Sequence, residues 1–249
     1  MFRRRERRAA ESGPYYKQRS WRLSAGFIGV VVVVGVIGTL TSGHSDTTHR
    51  ATTAASVGPL SDTSATKGGR PRDCRTDDSA GDVLPTSVPK DVSWQTLGIS
   101  RVPVSASAGP TRTDGDLWWC FAHTPTGAAL AAHIIPSQMS GPGWRTVTKR
   151  QVVEGNGRKM FEFIRSTVQD TDGESGRAEA SYAGFSVTSY KSTAATVKLL
   201  LKSDEGSAET VIRLRWSGGD WKVVPDANGG MHSPLASVQS TNGFLLWGV

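Results

Sequence analysis

Cysteine is scarce in this 249-residue chain: there are two, Cys74 and Cys120, 46 positions apart. That excludes a zinc cluster built on cysteine alone, and neither residue has the Cys-x-x-Cys partner of a redox dithiol. Histidine is nearly as rare. His44, His49, His123, His133 and His232 include no His-x-x-x-His pair that would present two imidazoles to a metal from one helical face. Neither metal nor cofactor is therefore expected. A Gly-x-Ser-x-Gly elbow, a phosphate loop and a dinucleotide fingerprint are also missing. The tetrad Ser64-Ala65-Thr66-Lys67 has the Ser-x-x-Lys spacing, but no Lys-Thr-Gly or Ser-Asp-Asn accompanies it, so it is expected to be chance. Phe, Trp and Tyr are absent from residues 41–90.

Acidic residues are thin at one end. Residues 1–22 hold eight Lys or Arg against Glu6 and Glu11, whereas the rest of the chain holds 21 basic and 20 acidic groups. The net charge of +7 thus comes from a tail, not from an excess over the body of the chain. Directly after it, Leu23–Ser42 contains no charged residue and includes five consecutive valines. Twenty residues of helix span about 30 Å, the thickness of a bilayer's hydrocarbon core. A transmembrane helix over 23–42 is expected, since backbone in lipid must satisfy its own hydrogen bonds. The flanking charge places the tail, residues 1–22, in the cytoplasm and the remainder outside. A cleaved signal peptide fits less well: the apolar stretch is long and Thr39–Gly43 makes a poor cleavage site. The lipid bilayer is accordingly the first expected partner. No specific nucleic acid is expected, because attraction of the tail's arginines to anionic lipid headgroups is the simpler reading.

Residues 43–90, rich in Ser, Thr, Ala and Gly, are expected to be a flexible linker, having too little apolar area to offset chain entropy. Seven of eight tryptophans fall in 91–249, where one extracytoplasmic domain is expected. Strand character appears over Val92–Val104 and Leu117–Ala122. A helix is predicted from Thr124 as N-cap, with Pro125 in its first turn and Pro136 ending it. Further helices are predicted over Trp144–Val153 and Arg158–Val168, with Met160, Phe161, Ile164 and Val168 on the apolar face of the latter. Beyond Gly173 the period shortens, and strands joined by Gly/Asp/Ser turns predict an antiparallel meander. Helices followed by such a meander make an α+β fold with the helices on the sheet's apolar face.

This order, ending in LRWSGGDWKV (Leu214–Val223), resembles the cystatin-like and ketosteroid-isomerase-like cone, helices packed on a curved antiparallel sheet. Placed outside the cell behind a membrane helix and a linker, the fold is similar to the extracytoplasmic subunits of conjugative type IV secretion systems. The stretch FAHTPTGAALAA (Phe121–Ala132), preceded by Ser107–Pro110, resembles an uncharacterised family of actinobacterial membrane-anchored proteins that often accompany conjugation genes.

Those resemblances imply a non-enzymatic, single-pass structural or interaction subunit of a membrane assembly, conjugation-type secretion being the lead. Its partners would be other membrane-assembly proteins, with a homo-oligomer an open option. The alternatives are an accessory protein of lipid import and a small-ligand-binding cone. From the residues themselves, two features merit a structural check. Outside the membrane, Cys74 and Cys120 are expected to form a disulfide. The turn His123, Thr124, Pro125, Thr126 and Gly127 could present an imidazole or, as a helix start, backbone N–H groups to an anion, although a helix cap with close packing is the simpler expectation. Asp220 and Asp226 fall in turn contexts and are expected to be solvated.

Overall fold

The computed structural model describes Leu60, residues 69–71, 73–168 and 180–248. The basic tail, the apolar stretch 23–42 and most of the linker 43–90 lie outside the described residues. No described helix is long and apolar enough to cross a membrane. Within the described residues the architecture is α+β, three helices packed with antiparallel sheets.

The strand character of Val92–Val104 resolves into a hairpin, β1 (Val92–Leu97) with β2 (Ser100–Ser105). A second short ribbon pairs β3 (Arg112–Asp114) with β4 (Leu117–Trp119). The helices are α1 (Pro125–Gln138), α2 (Trp144–Gln151) and α3 (Asn156–Ser166). The meander follows as β5 (Ala180–Lys191), β6 (Ala194–Ser203), β7 (Gly206–Ser217) and β8 (Asp220–Val223). Two short strands complete it, β9 (Ala236–Val238) on the edge of β7 and β10 (Leu245–Leu246) on the edge of β5. The main path runs β10-β5-β6-β7-β8, every neighbour antiparallel. Register shifts in β5 at Tyr182/Gly184 and Val187/Ser189 mark bulges, which bend a strand and increase its twist.

Alternation sorts the sheet into two faces. Phe185, Val197, Leu199, Ile212, Leu214, Trp221 and Val223 point inward and are all buried. Against them lies α1, in which every residue but Thr126 is buried, so it has no polar face. Its Ala-rich composition allows that enclosure. Thr124 Oγ1 accepts the Gly127 N–H at 3.2 Å, the predicted N-cap. The helix runs two residues past Pro136, closing with Met139 N–H on Pro136 O. On α3 the predicted apolar face is only partly realised: Phe161 is buried, while Met160 and the unforeseen Phe163 are exposed. Leu200, outward by register, is nonetheless fully enclosed.

The linker boundary near Lys90 is corrected. Residues 69–71 and 73–90 lie against the domain, held mostly by polar contacts, with Leu60, Cys74 and the part-buried Val88 adding a few apolar ones too sparse for composition to reveal. Asp77 N–H donates to Ser107 O, Arg112 Nε to Asp73 O, and Asp91 accepts from Ser105 Oγ and Ser107 N–H. The expected Cys74–Cys120 disulfide is present, joining Cα atoms 5.3 Å apart.

Gly127 sets the closeness of α1 to the chain before it: a Cβ there would fall 2.0 Å from Ala122 O. Gly127→Ala is expected to destabilise the fold by about 3 kcal/mol, read as a lowered urea midpoint followed by tryptophan fluorescence.

Candidate functional site

The turn singled out in the sequence is the elbow where β4 leads into α1, and the residues that control it come from far along the chain. Asp220, at the start of β8, is fully buried rather than solvated, a correction to its expected role. Its Oδ2 accepts the N–H of Cys120 at 2.7 Å, and its Oδ1 those of Phe121 and Trp221 at 3.0 Å each. The reason is backbone geometry. Cys120 has φ +71, and its N–H and that of Phe121 are turned to the buried carboxylate as donors that no strand partner takes. Burial raises the Asp220 carboxyl to about 6, against three backbone donors and the Arg70 charge that pull it down. From the next residue, Trp221 Nε1 donates to Ala122 O at 2.9 Å.

Each member of the FAHTPTGA stretch has a local task here. The His123 ring stacks on Trp216, centroids 3.8 Å apart, and its Nε2 contacts Ser192 O. The His123 N–H goes to Asp78 Oδ1 at 2.9 Å. Thr124 caps the helix, Pro125 and Thr126 occupy its first turn, and Gly127 admits the close approach to Ala122. At the helix start Gly127 N–H goes to Thr124 Oγ1 and Ala128 N–H to Thr124 O, so these two donors are taken locally. Arg70 lies over Trp216 (5.2 Å to the ring), donates to Phe121 O at 2.7 Å, and pairs with Asp78 at 3.2 Å. Tyr190, edge-on to Trp221, has its phenol pushed up to about 12, mainly by burial and then by Asp82 and Asp78, which rules it out as a base near neutrality.

A second polar centre, which the sequence reading passed over, sits inside the layer between α1 and the sheet. His133 is fully buried; its Nδ1 donates to Ala129 O at 2.7 Å and its Nε2 accepts Trp247 Nε1 at 3.2 Å. Tyr182, Phe185 and Trp247 surround the ring, with centroids at 4.8, 6.2 and 5.3 Å. Ser137 Oγ, bonded to His133 O, meets Tyr182 OH at 2.9 Å. Burial pushes His133 down to about 4, so the ring is neutral and its tautomer is set by the two bonds. The signal for this centre was legible: a histidine in a helix whose preceding residues, Gly127–Ala132, carry no polar side chain must find partners inside.

Among the described residues no three His, Cys, Asp or Glu side chains converge on a metal-sized site. His44 and His49 lie outside them. Among the described residues, the fully buried Asp220 and His133 are both committed to hydrogen bonds within the protein. What the arrangement defines is an α+β domain whose interior polar chemistry holds its own layers together. The chain belongs to the family described as "Domain of unknown function (DUF8175)", whose model matches residues 54–246. No curated protein and no solved structure matches it.

Two predictions arise from these groups. Asp220→Asn keeps one carbonyl acceptor but turns an NH2 toward a buried N–H, and is expected to cost about 1–3 kcal/mol in urea unfolding. The second concerns pH. His133, lowered from 6.5 to about 4, stabilises the fold above pH 6.5 and loses that contribution as pH falls through 4. Asp220, raised from 3.8 to about 6, contributes most below 3.8 and loses it as pH rises through 6. The two oppose each other between pH 4 and 6. Relative to the parent chain, His133→Gln should therefore lose stability as pH rises over that window and Asp220→Asn should gain it, as read from unfolding midpoints across pH.

Proposed function

We propose that this chain is a single-pass membrane protein whose extracytoplasmic domain is a non-catalytic interaction module, a structural subunit of a membrane assembly of the conjugation-type secretion class. The observation that carries the reading is the Cys74–Cys120 bridge. Intramolecular disulfides persist in oxidising compartments, and the positive-inside orientation of the 23–42 stretch puts both cysteines on that side. The helices packed with a bulged antiparallel sheet support reading the fold as a cystatin-like or ketosteroid-isomerase-like cone.

In such a cone a catalytic or ligand-binding version would use an ionisable group facing an open interior. Here that interior is occupied by His133, Tyr182, Phe185, Trp94 and Trp247, with Trp94 edge-on to Trp247 at 6.2 Å. A filled interior favours work done by outer surfaces, as in a scaffold subunit. Exposed Met160 and Phe163 on α3 belong to that surface.

The test combines three readouts on the full chain in its own membrane. The intact mass under non-reducing conditions should be that of the oxidised form. A reporter fused at Val249 should be active only outside the cytoplasm. Detergent extraction should co-purify proteins of a secretion assembly. Two free thiols in native material, or a cytosolic reporter, would overturn the reading.

A further inference from the structure

The outward face of the main sheet is cationic. By register, Lys191 of β5, Lys198 and Lys202 of β6, Arg213 and Arg215 of β7 and Lys222 of β8 all point away from α1, and Glu209, paired with Lys198 at 2.8 Å, is the one acidic residue among them apart from Asp220, which has the parity of Lys222 but is fully buried on the N–H groups of Cys120 and Phe121. The described residues hold 17 Lys or Arg and 14 Asp or Glu, so six and one of these sit on this face and eleven and thirteen remain elsewhere. Charge is segregated, not merely abundant.

The arrangement is two-dimensional. Lys191, Ala194, Arg215 and Lys222 form one cross-strand row, and the next row is Ser189, Thr196 and Arg213. Short side chains separate the cations, and no Phe, Trp or Tyr points outward among them. Single-stranded nucleic acid is held by stacking platforms in a groove, which this face lacks. At its far edge Leu246, half exposed, lies in the row of Gly184 and Leu200. A cationic face of this kind attracts the anionic headgroups of lipid.

The chain's own path points the same way. Gly69 and Arg70 rest on Gly219, where a Cβ would lie 2.7 Å from Arg70 Cα. Gly219 belongs to the turn between Ser217 and Asp220, next to the Arg215–Lys222 pair. The chain meets the core first at Leu60 and then lies at Gly69 and Arg70 against the end of the sheet where that row lies. Covalent geometry limits the 17 residues between 42 and 60 to about 60 Å.

We propose that this face, Lys191, Arg213 and Arg215 above all, docks the domain on anionic phospholipid headgroups of the bilayer that holds the same chain. The proposal rests on the membrane-anchored reading above and adds the orientation of the domain. Attraction of this kind acts within a Debye length, about 8 Å at physiological salt, so docking is lost when salt is raised.

The experiment uses the full chain in nanodiscs of phosphatidylcholine, with or without phosphatidylglycerol. A fluorophore on Thr188→Cys, exposed on β5, reports energy transfer to a headgroup-labelled lipid. Transfer should rise several-fold with phosphatidylglycerol and fall back in high salt. It should also fall back in Lys191→Glu/Arg213→Glu/Arg215→Glu and, in part, in the matching Gln triple. Incorporation into discs with transfer indifferent to phosphatidylglycerol overturns the proposal and leaves the anchor intact. Failure to enter phosphatidylcholine discs overturns the anchor. The same protein is then mixed with phosphatidylglycerol vesicles, where binding lost in the Glu triple sustains the face assignment and binding unchanged in it overturns it. Salt-sensitive binding of polyglutamate with no response to phosphatidylglycerol assigns the face to an acidic protein and overturns the lipid proposal.

Discussion

The fold depends on one carboxylate. Asp220 reaches from the β7–β8 turn to backbone donors a hundred residues earlier, at Cys120 and Phe121. The chain there has just left β4, passes through a left-handed residue and must begin a buried helix within four residues. Those N–H groups have no ladder to join, and buried donors without acceptors are costly. Asp220 supplies the acceptors, Trp221 closes the next carbonyl, and the disulfide on Cys120 ties the strap of residues 73–90 to the same point. The FAHTPTGA stretch is built as an elbow whose shape is fixed by hydrogen bonds and packing from neighbouring elements.

Further along α1, in its middle, His133 performs a related task with the reverse electrostatics. It is kept neutral by burial, and its two nitrogens join the helix backbone to Trp247 near the C-terminus. Trp247 N–H also donates to Ala183 O, so β10 and its tryptophan close the edge of β5 over the histidine. The helix is held at its start by an acid and in its middle by a base, each reaching a different edge of the sheet. Buried polar pairs contribute little net stability on average but restrict which arrangement is satisfied. A helix as uniformly small and apolar as α1 could slide along the sheet. Asp220 and His133 fix its register.

Much of the helix-and-meander order was legible, because it rests on short-range signals. Thr124 and Pro125 announce a helix start, the alternation in β6 and β7 announces a half-buried sheet, and Gly218-Gly219 announces a hairpin. What failed was long-range. Asp220 sits in a turn, and only the distant elbow makes that turn a buried site. Residues 73–90 lack aromatics, yet hydrogen bonds and a covalent link hold them where apolar burial would not. Met160 follows helical spacing, but α3 has only Phe161 inserted beneath it, so the periodicity overstated the buried face. His133 was visible as a polar residue in an apolar helix, though its partner Trp247, 114 residues away, was not.

These two fixed points also bear on where function can reside. Asp220, His133 and the indoles of Trp221 and Trp247 are committed to hydrogen bonds within the domain, whereas the buried Trp119 Nε1 has no such partner. The two described surfaces with unusual character differ in chemistry: α3 exposes Met160 and Phe163, whereas the sheet exposes cations in register. A rigid connection between them follows from the elbow, since the β7–β8 hairpin carrying Arg215 and Lys222 is the hairpin that Asp220 binds to the start of α1. If the cationic face rests on a membrane, the register imposed by Asp220 also determines the direction in which the apolar pair on α3 is presented. One surface would then orient the domain while the other meets a protein partner, and the buried carboxylate would couple the two geometrically.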